Sequence, residues 1–391
     1  MNTENLRFLG FRRLDGSVGL RNHVLVLPTS ICSSGTAASI SEKVSGAVAL
    51  YNQCGCCQIG EDIKLTTKTL VGFGKNPNVA AVLVVALGCE EVTYQKVADE
   101  IAETKKPVEL LVIQDVGGTA KTIERGVSIA SRMAKEVSSV EREATRLSEL
   151  VVALECGGSD WTSGVISNPI VGAMVDRLIS AGGTAVFSET TEIIGAEHLL
   201  AKRTRNRQVA KKLLRAVARV ERRVKQAGVD LREAQPTPGN IAGGLTTIEE
   251  KSLGAICKAG KQRLEDVLEY ADEIPRTGGL FFMDTPGQDI ESITGMVAGG
   301  AQMVVFTTGL GTPTGCPIAP VIKVTGNSET FRRMPNDIDL NFGALIQGRE
   351  TIERAGARLA GELLKVASGK ITKAEKSNHK EFAMYRIYPS V

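Results

Sequence analysis

One pattern recurs along the chain: a short apolar or β-branched run, then a helical stretch, then another such run. The runs fall at 23–27, 47–51, 80–87, 108–113, 150–154, 184–187, 280–283, 303–306 and 321–324. A strand with one wet face alternates apolar and polar residues; these do not alternate, so both faces must be covered. Helical spacing lies between most of them, at 63–72, 95–103, 119–135 and 170–181, and follows the last at 350–367. This predicts an α/β fold of mostly parallel sheets flanked by helices. A length of 391 residues allows two such domains at roughly 150 residues each. The charged stretch 141–149 precedes a fresh strand and predicts a boundary between domains 1–146 and 147–391.

A net charge of +3 is too small to demand a polyanionic partner. No apolar run approaches the roughly 20 residues of a membrane span, and the N-terminus lacks a signal-peptide core, so a cytoplasmic protein with no membrane partner is expected. Eight cysteines in that setting read as thiols or metal ligands rather than a disulfide framework. With only three histidines, His23, His198 and His379, a metal would need thiolates, carboxylates or another subunit for ligands.

Small and polar residues collect where strands end, the place open α/β sheets bind ligands. Such ends are Gly88-Cys89-Glu90, Glu155-Cys156-Gly157-Gly158-Ser159-Asp160, Asp284-Thr285-Pro286-Gly287 and Thr307-Thr308-Gly309. Cys56, in Cys54-Gly55-Cys56-Cys57, Cys89 and Cys156 each follow a strand. Three thiolates from separate loops can bind iron as an open Lewis acid, or they are small buried thiols at strand ends. The turn from Gly157 to Ser163 can bring backbone N–H groups to an anion, with Asn168 as N-cap before Pro169, or it is a capped glycine turn. Glu189, Glu192 and Glu197 follow another strand and can move a proton, hold a cation or favour a helix start; Glu189 is the strongest candidate.

Residues 202–225 hold eleven Lys or Arg against one Glu. Apolar residues at helical spacing leave these charges outward, as a solvated face, a subunit contact or a nucleic-acid footprint. No aromatic interleaving accompanies them, so no nucleic acid is expected. Thr246 and Glu249 have capping-box spacing, and Glu250 or Lys251 can reach a substrate from the Pro/Gly-rich segment before them. Arg21 beside Asn22 can clamp a carboxylate or sit on a hairpin surface.

Long segments resemble the altronate/galactarate dehydratase family, which also contains the large subunit of (2R)-sulfolactate sulfo-lyase. They are GFRRLDGSVGLRN, CGCCQIGED, NPNVAAVLVVALGCE, ECGGSDWTSGVISNP, FSETTEIIGAEH, GLFFMDTPGQDIESITGMVAGGAQMVVFTTGLGTPTG and NDIDLNFG. The resemblance implies a metal-dependent lyase, with mononuclear Fe2+ or an iron–sulfur cluster, or else Mn2+ or Mg2+. It implies loss of water from a sugar acid to give a 2-keto-3-deoxy acid, or loss of sulfite from sulfolactate to give pyruvate. Many members carry a small N-terminal SAF-type domain; a chain starting at GFRRLDG implies a separate small SAF-type subunit and a homo- or hetero-oligomer. Sugar-acid dehydratases are expected to carry His before the first Gly-Cys, where this sequence has Asn52-Gln53-Cys54. Combined with the residues, this predicts Cys56, Cys89 and Cys156 as metal ligands and Glu189, Lys251 and Asp160 as catalytic groups. A small hydroxy acid would meet Arg21, Asn22, Gly157, Gly158, Ser159, Ser163, Asn168, Asp284, Thr285, Thr307 and Thr308.

Overall fold

The structure, a computed structural model, describes residues 6–391; residues 1–5 of the segment tested for a signal peptide lie outside it. Its strands are β1 (Arg7–Arg12), β2 (Val18–Gly19), β3 (His23–Pro28), β4 (Ala47–Ala49), β5 (Val79–Ala86), β6 (Val108–Val112) and β7 (Glu143–Arg146) in the first part. The second part holds β8 (Val151–Cys156), β9 (Thr184–Phe187), β10 (Leu264–Leu268), β11 (Gly279–Met283), β12 (Met303–Thr307), β13 (Val321–Thr325) and β14 (Leu340–Asn341). The α/β class is as expected: a four-stranded parallel sheet in the order β4-β3-β5-β6 and a seven-stranded parallel sheet in the order β10-β11-β9-β8-β12-β13-β14. Central β5 and β8 are buried along their whole lengths, which is why neither alternates in sequence.

Main helices cover the sheets: α1 (Ile31–Ser41), α2 (Glu61–Lys75), α3 (Tyr94–Ala102), α4 (Thr119–Ser138), α5 (Asn168–Ser180), α6 (Arg207–Gln226), α7 (Ile248–Ala255), α8 (Asp289–Ala298) and α9 (Ile352–Ala367). The two sheets share a core. One apolar cluster runs from Leu25, Leu70 and Val82 through Met296 and Val297 to Val304 and Phe306. Here α2 and α8 approach so closely that a Cβ on Gly72 would lie 2.3 Å from the Ala298 carbonyl oxygen. Asn76 donates to the Val297 and Ala301 carbonyls, and Asn78 to those of Gln302 and Ile318, so buried amides stitch the halves together.

Three local expectations change. The charged stretch 141–149 is not simply a linker, because 143–146 is β7, antiparallel to β1 with Phe8 opposite Thr145. Asn168 does not cap a helix: the helix begins at Trp161, passes through a π turn at 163–167 and continues as α5. Asp160 sits at its start, its Oδ1 accepting from the Ser163 N–H and the Thr162 hydroxyl, so no free helix terminus remains at Asn168 to hold an anion. The cap of α7 is Thr247, whose hydroxyl accepts from the Glu250 N–H, one residue beyond the expected Thr246.

Candidate active site

Because β8 and β9 are parallel neighbours, their carboxyl ends place Glu155-Cys156 beside Ser188-Glu189. The start of α8 adds Asp289, and one carboxylate oxygen from each of Glu155, Glu189 and Asp289 lies within 4.8 Å of the others. Two features make this crowding possible. Glu189 adopts a left-handed φ of 69°, held by its N–H donating 2.9 Å to the Thr285 hydroxyl. That conformation is uncommon for a residue with a side chain. Gly157 leaves the space for Asp289: a Cβ there would stand 2.1 Å from Asp289 Oδ2.

Two lysines enter the cluster. The fully buried Lys258 Nζ lies 2.9 Å from both Glu189 Oε2 and Cys156 Sγ. Lys251 Nζ pairs with Glu192 Oε1 at 2.7 Å and donates 2.9 Å to Gln235 Oε1. Ser292 donates 2.6 Å to Glu155 Oε2. Burial, then the neighbouring Glu189, pushes Glu155 well above the usual carboxyl range, raises Glu192, and raises Asp289 to about 7. Burial also pushes the Cys156 thiol up against the opposing pull of Lys258. Burial lowers both ammonium groups, but their neighbours outweigh it: Cys156 and Glu189 hold Lys258 well up, and Glu192 raises Lys251.

The donor set fits a divalent cation. Glu155 Oε1 and Glu189 Oε1 are buried and have no hydrogen-bond partner, a costly condition that a cation would relieve. Four carboxyl groups face two ammonium groups, so a doubly charged ion would balance the site. Oxygen donors of this kind suit Mg2+, Mn2+ or Fe2+ rather than a thiolate-bound centre.

The expected cysteine triad is not assembled. Cys156 is inside this cluster with its thiol against Lys258, whereas Cys56 and Cys89 are exposed in loops of the four-stranded sheet. Among the described residues, Glu155, Glu189 and Asp289 are the group whose donor atoms converge. Arg21 is also corrected: its guanidinium donates to Glu375 Oε1 and Oε2 and to the carbonyls of Leu20, Val366 and Lys370, leaving no donor for a substrate. Asn22 joins the Val137 carbonyl to Arg13 in the same scaffold.

Other expected residues gather nearby. A pocket of about 260 Å³ is lined by Ser159, Asp160, Trp161, Ser163, Asn168 and Lys251, with Glu250 and Gly254 at its wall. Asp160 is bound to Ser163, Thr162 and Asn327, which gives it a scaffold role there. Thr307 donates 2.7 Å to Asn168 Oδ1, and Thr308 accepts from the Gly311 N–H. Gly158, at φ 57°, offers its carbonyl to the Gly309 and Leu310 N–H groups. Asp284 and Thr285 line a different cavity of about 540 Å³, where Asp284 is paired with Arg219. Of the two cavities the smaller adjoins the charged cluster directly, since Lys251 belongs to both.

Glu155, Asp289 and Lys258 were missed by the sequence reading. Two of them carried a faint signal: Glu155 lies near the end of an otherwise apolar strand, and Lys258 sits among small apolar residues in Gly-Ala-Ile-Cys-Lys-Ala-Gly. A charge inside such a run needs a buried partner.

Comparison with known proteins follows this geometry. Residues 147–390 match the model of the D-galactarate/altronate dehydratase C-terminal domain, and residues 10–138 that of the D-galactarate dehydratase/altronate hydrolase second domain. The chain is 41% identical to the (2R)-sulfolactate sulfo-lyase subunit beta of Chromohalobacter salexigens, over 100% of both chains. It is 35% identical to altronate dehydratase of Bacillus subtilis, covering 98% of this chain and 78% of that one. It is 37% identical to galactarate dehydratase (L-threo-forming) of Escherichia coli, covering 94% of this chain and 74% of that one.

Proposed function

Since the chain belongs to the D-galactarate/altronate dehydratase family, whose named relatives are lyases, we propose that it is the large subunit of a metal-dependent lyase acting on a small 2-hydroxy acid. The observation that carries the reading is the buried cluster of Glu155, Glu189 and Asp289 with its unpartnered oxygens, next to a pocket bordered by Lys251. Glu155, Glu189 and Asp289 would hold the divalent cation, which as a Lewis acid stabilises negative charge developing on substrate oxygen. Iron is the ion the family resemblance favours.

The chain's own groups divide the remaining work. Lys251, kept protonated by Glu192, faces the pocket as a donor to a substrate carboxylate or leaving group. Glu192, whose second oxygen is free, takes the proton from C2. Lys258 pairs with Glu189 at 2.9 Å and fixes its orientation. Removing the C2 proton and expelling the group on C3 yields an enol, which tautomerises to a 2-oxo acid.

Two leaving groups are compatible with these steps. Loss of water from a sugar acid such as altronate or galactarate is the reading shared with the dehydratases. Loss of sulfite from sulfolactate is favoured by the end-to-end match to the sulfo-lyase subunit beta, whose name also implies a second subunit. A small SAF-type chain is the partner we propose. The deciding experiment assays anaerobically prepared protein with Fe2+, Mn2+ or Mg2+ on altronate, galactarate and sulfolactate, with and without that partner. Glu192→Gln and Lys251→Met should lower kcat at least about 100-fold in a folded protein. No keto acid and no sulfite under any condition would overturn the lyase reading.

A further inference from the structure

The charged cluster leaves four exposed thiols unused, and two of them, Cys56 and Cys57, are consecutive residues in the loop after β4. Their Sγ atoms are 3.7 Å apart, close enough for one thiol to donate a hydrogen bond to the other. An S–S bond of roughly 2.05 Å would need the two sulfurs to approach by only about 1.7 Å more.

The loop is pinned on both sides of this pair. The Cys54 carbonyl accepts 2.9 Å from the Ile31 N–H, and the Gly55 carbonyl accepts 3.2 Å from the Glu91 N–H. The Gly55 N–H donates 3.0 Å to Gln58 Oε1, and the Gln58 N–H donates 2.9 Å to Glu91 Oε2. Between these anchors Cys57 adopts φ 55°, a left-handed conformation uncommon for a residue with a side chain. Its carbonyl accepts 3.1 Å from the N–H of Val391, a residue that is itself 74% exposed. The frame is therefore fixed while the Cys56–Cys57 unit is lightly held. Two reacting groups confined this way meet each other far more often than they meet a distant third.

We propose that Cys56 and Cys57 are a site of reversible oxidation, closing to a vicinal disulfide on exposure to a peroxide. One thiol takes an oxygen from the peroxide to become a sulfenic acid, which breaks the O–O bond and releases a water. The other sulfur then attacks the sulfenic sulfur, forming the S–S bond and releasing a second water. The pair gives two electrons to the peroxide, and the two thiol protons end in the two waters. Adjacent Cα atoms are about 3.8 Å apart across a trans peptide, less than the roughly 4.4–6.8 Å that disulfides ordinarily span. A bond closed over so short a span is strained, and strained, exposed disulfides are readily reduced again. The thiol pair belongs to the four-stranded sheet and the carboxylate cluster to the seven-stranded one, so its chemistry is independent of the lyase reading.

The test treats the reduced, folded full chain with hydrogen peroxide, then unfolds it and alkylates every remaining thiol for mass spectrometry. Alkylation of Cys56 and Cys57 should fall at least tenfold, with their peptide two hydrogens lighter, while Cys32, Cys54 and Cys89 stay modified. Excess reduced glutathione added before unfolding should restore both thiols. In Cys57→Ser that peptide should no longer lose the two hydrogens, and Cys56 should instead be trapped as a sulfenic acid by dimedone. The wild-type measurement stands even where the variant fails to fold. Full alkylation of Cys56 and Cys57 after peroxide, a link from either to Cys32, Cys54 or Cys89, a sulfinic acid at either sulfur, or a disulfide that survives glutathione would overturn the proposal.

Discussion

Lys258 lies buried between a thiol and a carboxylate, and removing its charge would strand Glu189 in a dry interior. Lys258→Met should therefore destabilise the protein by about 3–5 kcal/mol, read from urea unfolding. Gly157→Ala tests the opposite balance, since its Cβ displaces the Asp289 carboxylate. Turnover and divalent-metal affinity should fall at least tenfold with a much smaller change in Tm; unchanged metal binding would detach Asp289 from the site. His23 gives a pH prediction away from the charged cluster. Burial, then Arg21, lowers its imidazole from 6.5 to about 4. A base depressed by folding favours the folded state above its unfolded pKa, and that stability is lost as pH falls from 6.5 through 4. Because the residue keeps some solvent contact, the loss relative to His23→Gln should reach roughly 2 kcal/mol at pH 4. Parallel stability curves for the two proteins would refute it.

At the level of elements, the strands were legible because burial on both faces leaves a signature that does not depend on partners. The run 184–187 matches β9 residue for residue, and the others shift by one or two positions. β10 and the β1–β7 pair were not legible. β10 carries Glu265 and Asp266, which ion-pair with Arg263 and Lys212, and β7 is mostly exposed. The candidate active-site cluster was half legible: Glu189, Lys251 and Cys156 stood out, but Asp289 reaches the site only because α8 packs where it does. Two charges of the basic stretch are paired on the adjoining elements, Lys212 with Asp266 and Arg219 with Glu269. Helix contact itself can be tested at Gly72. Gly72→Ala forces α2 away from α8 and should cost about 1–3 kcal/mol, measured by chemical denaturation; a neutral effect would mean the helices are free to separate.

Across the whole molecule, the final segment returns to the first sheet. Phe382 packs edge-on against Phe73 at 5.1 Å, Met384 is buried in the shared core, and the Asp62 carboxylate accepts from the Ile387 and Tyr388 N–H groups at 2.8 Å each. Deleting residues 380–391 should lower Tm, and the two sheets should still melt in one transition because their core is continuous. Two separated transitions would show that the shared core does not couple them. The returning segment also has a consequence for synthesis. A ribosome delivers the β3–β6 sheet hundreds of residues before the chain that covers Phe73, so this early half must wait with an apolar face uncovered. Maturation of the N-terminal half is thus timed by the synthesis of residues 382–388, and slow translation of the distal half lengthens the interval in which aggregation competes with folding.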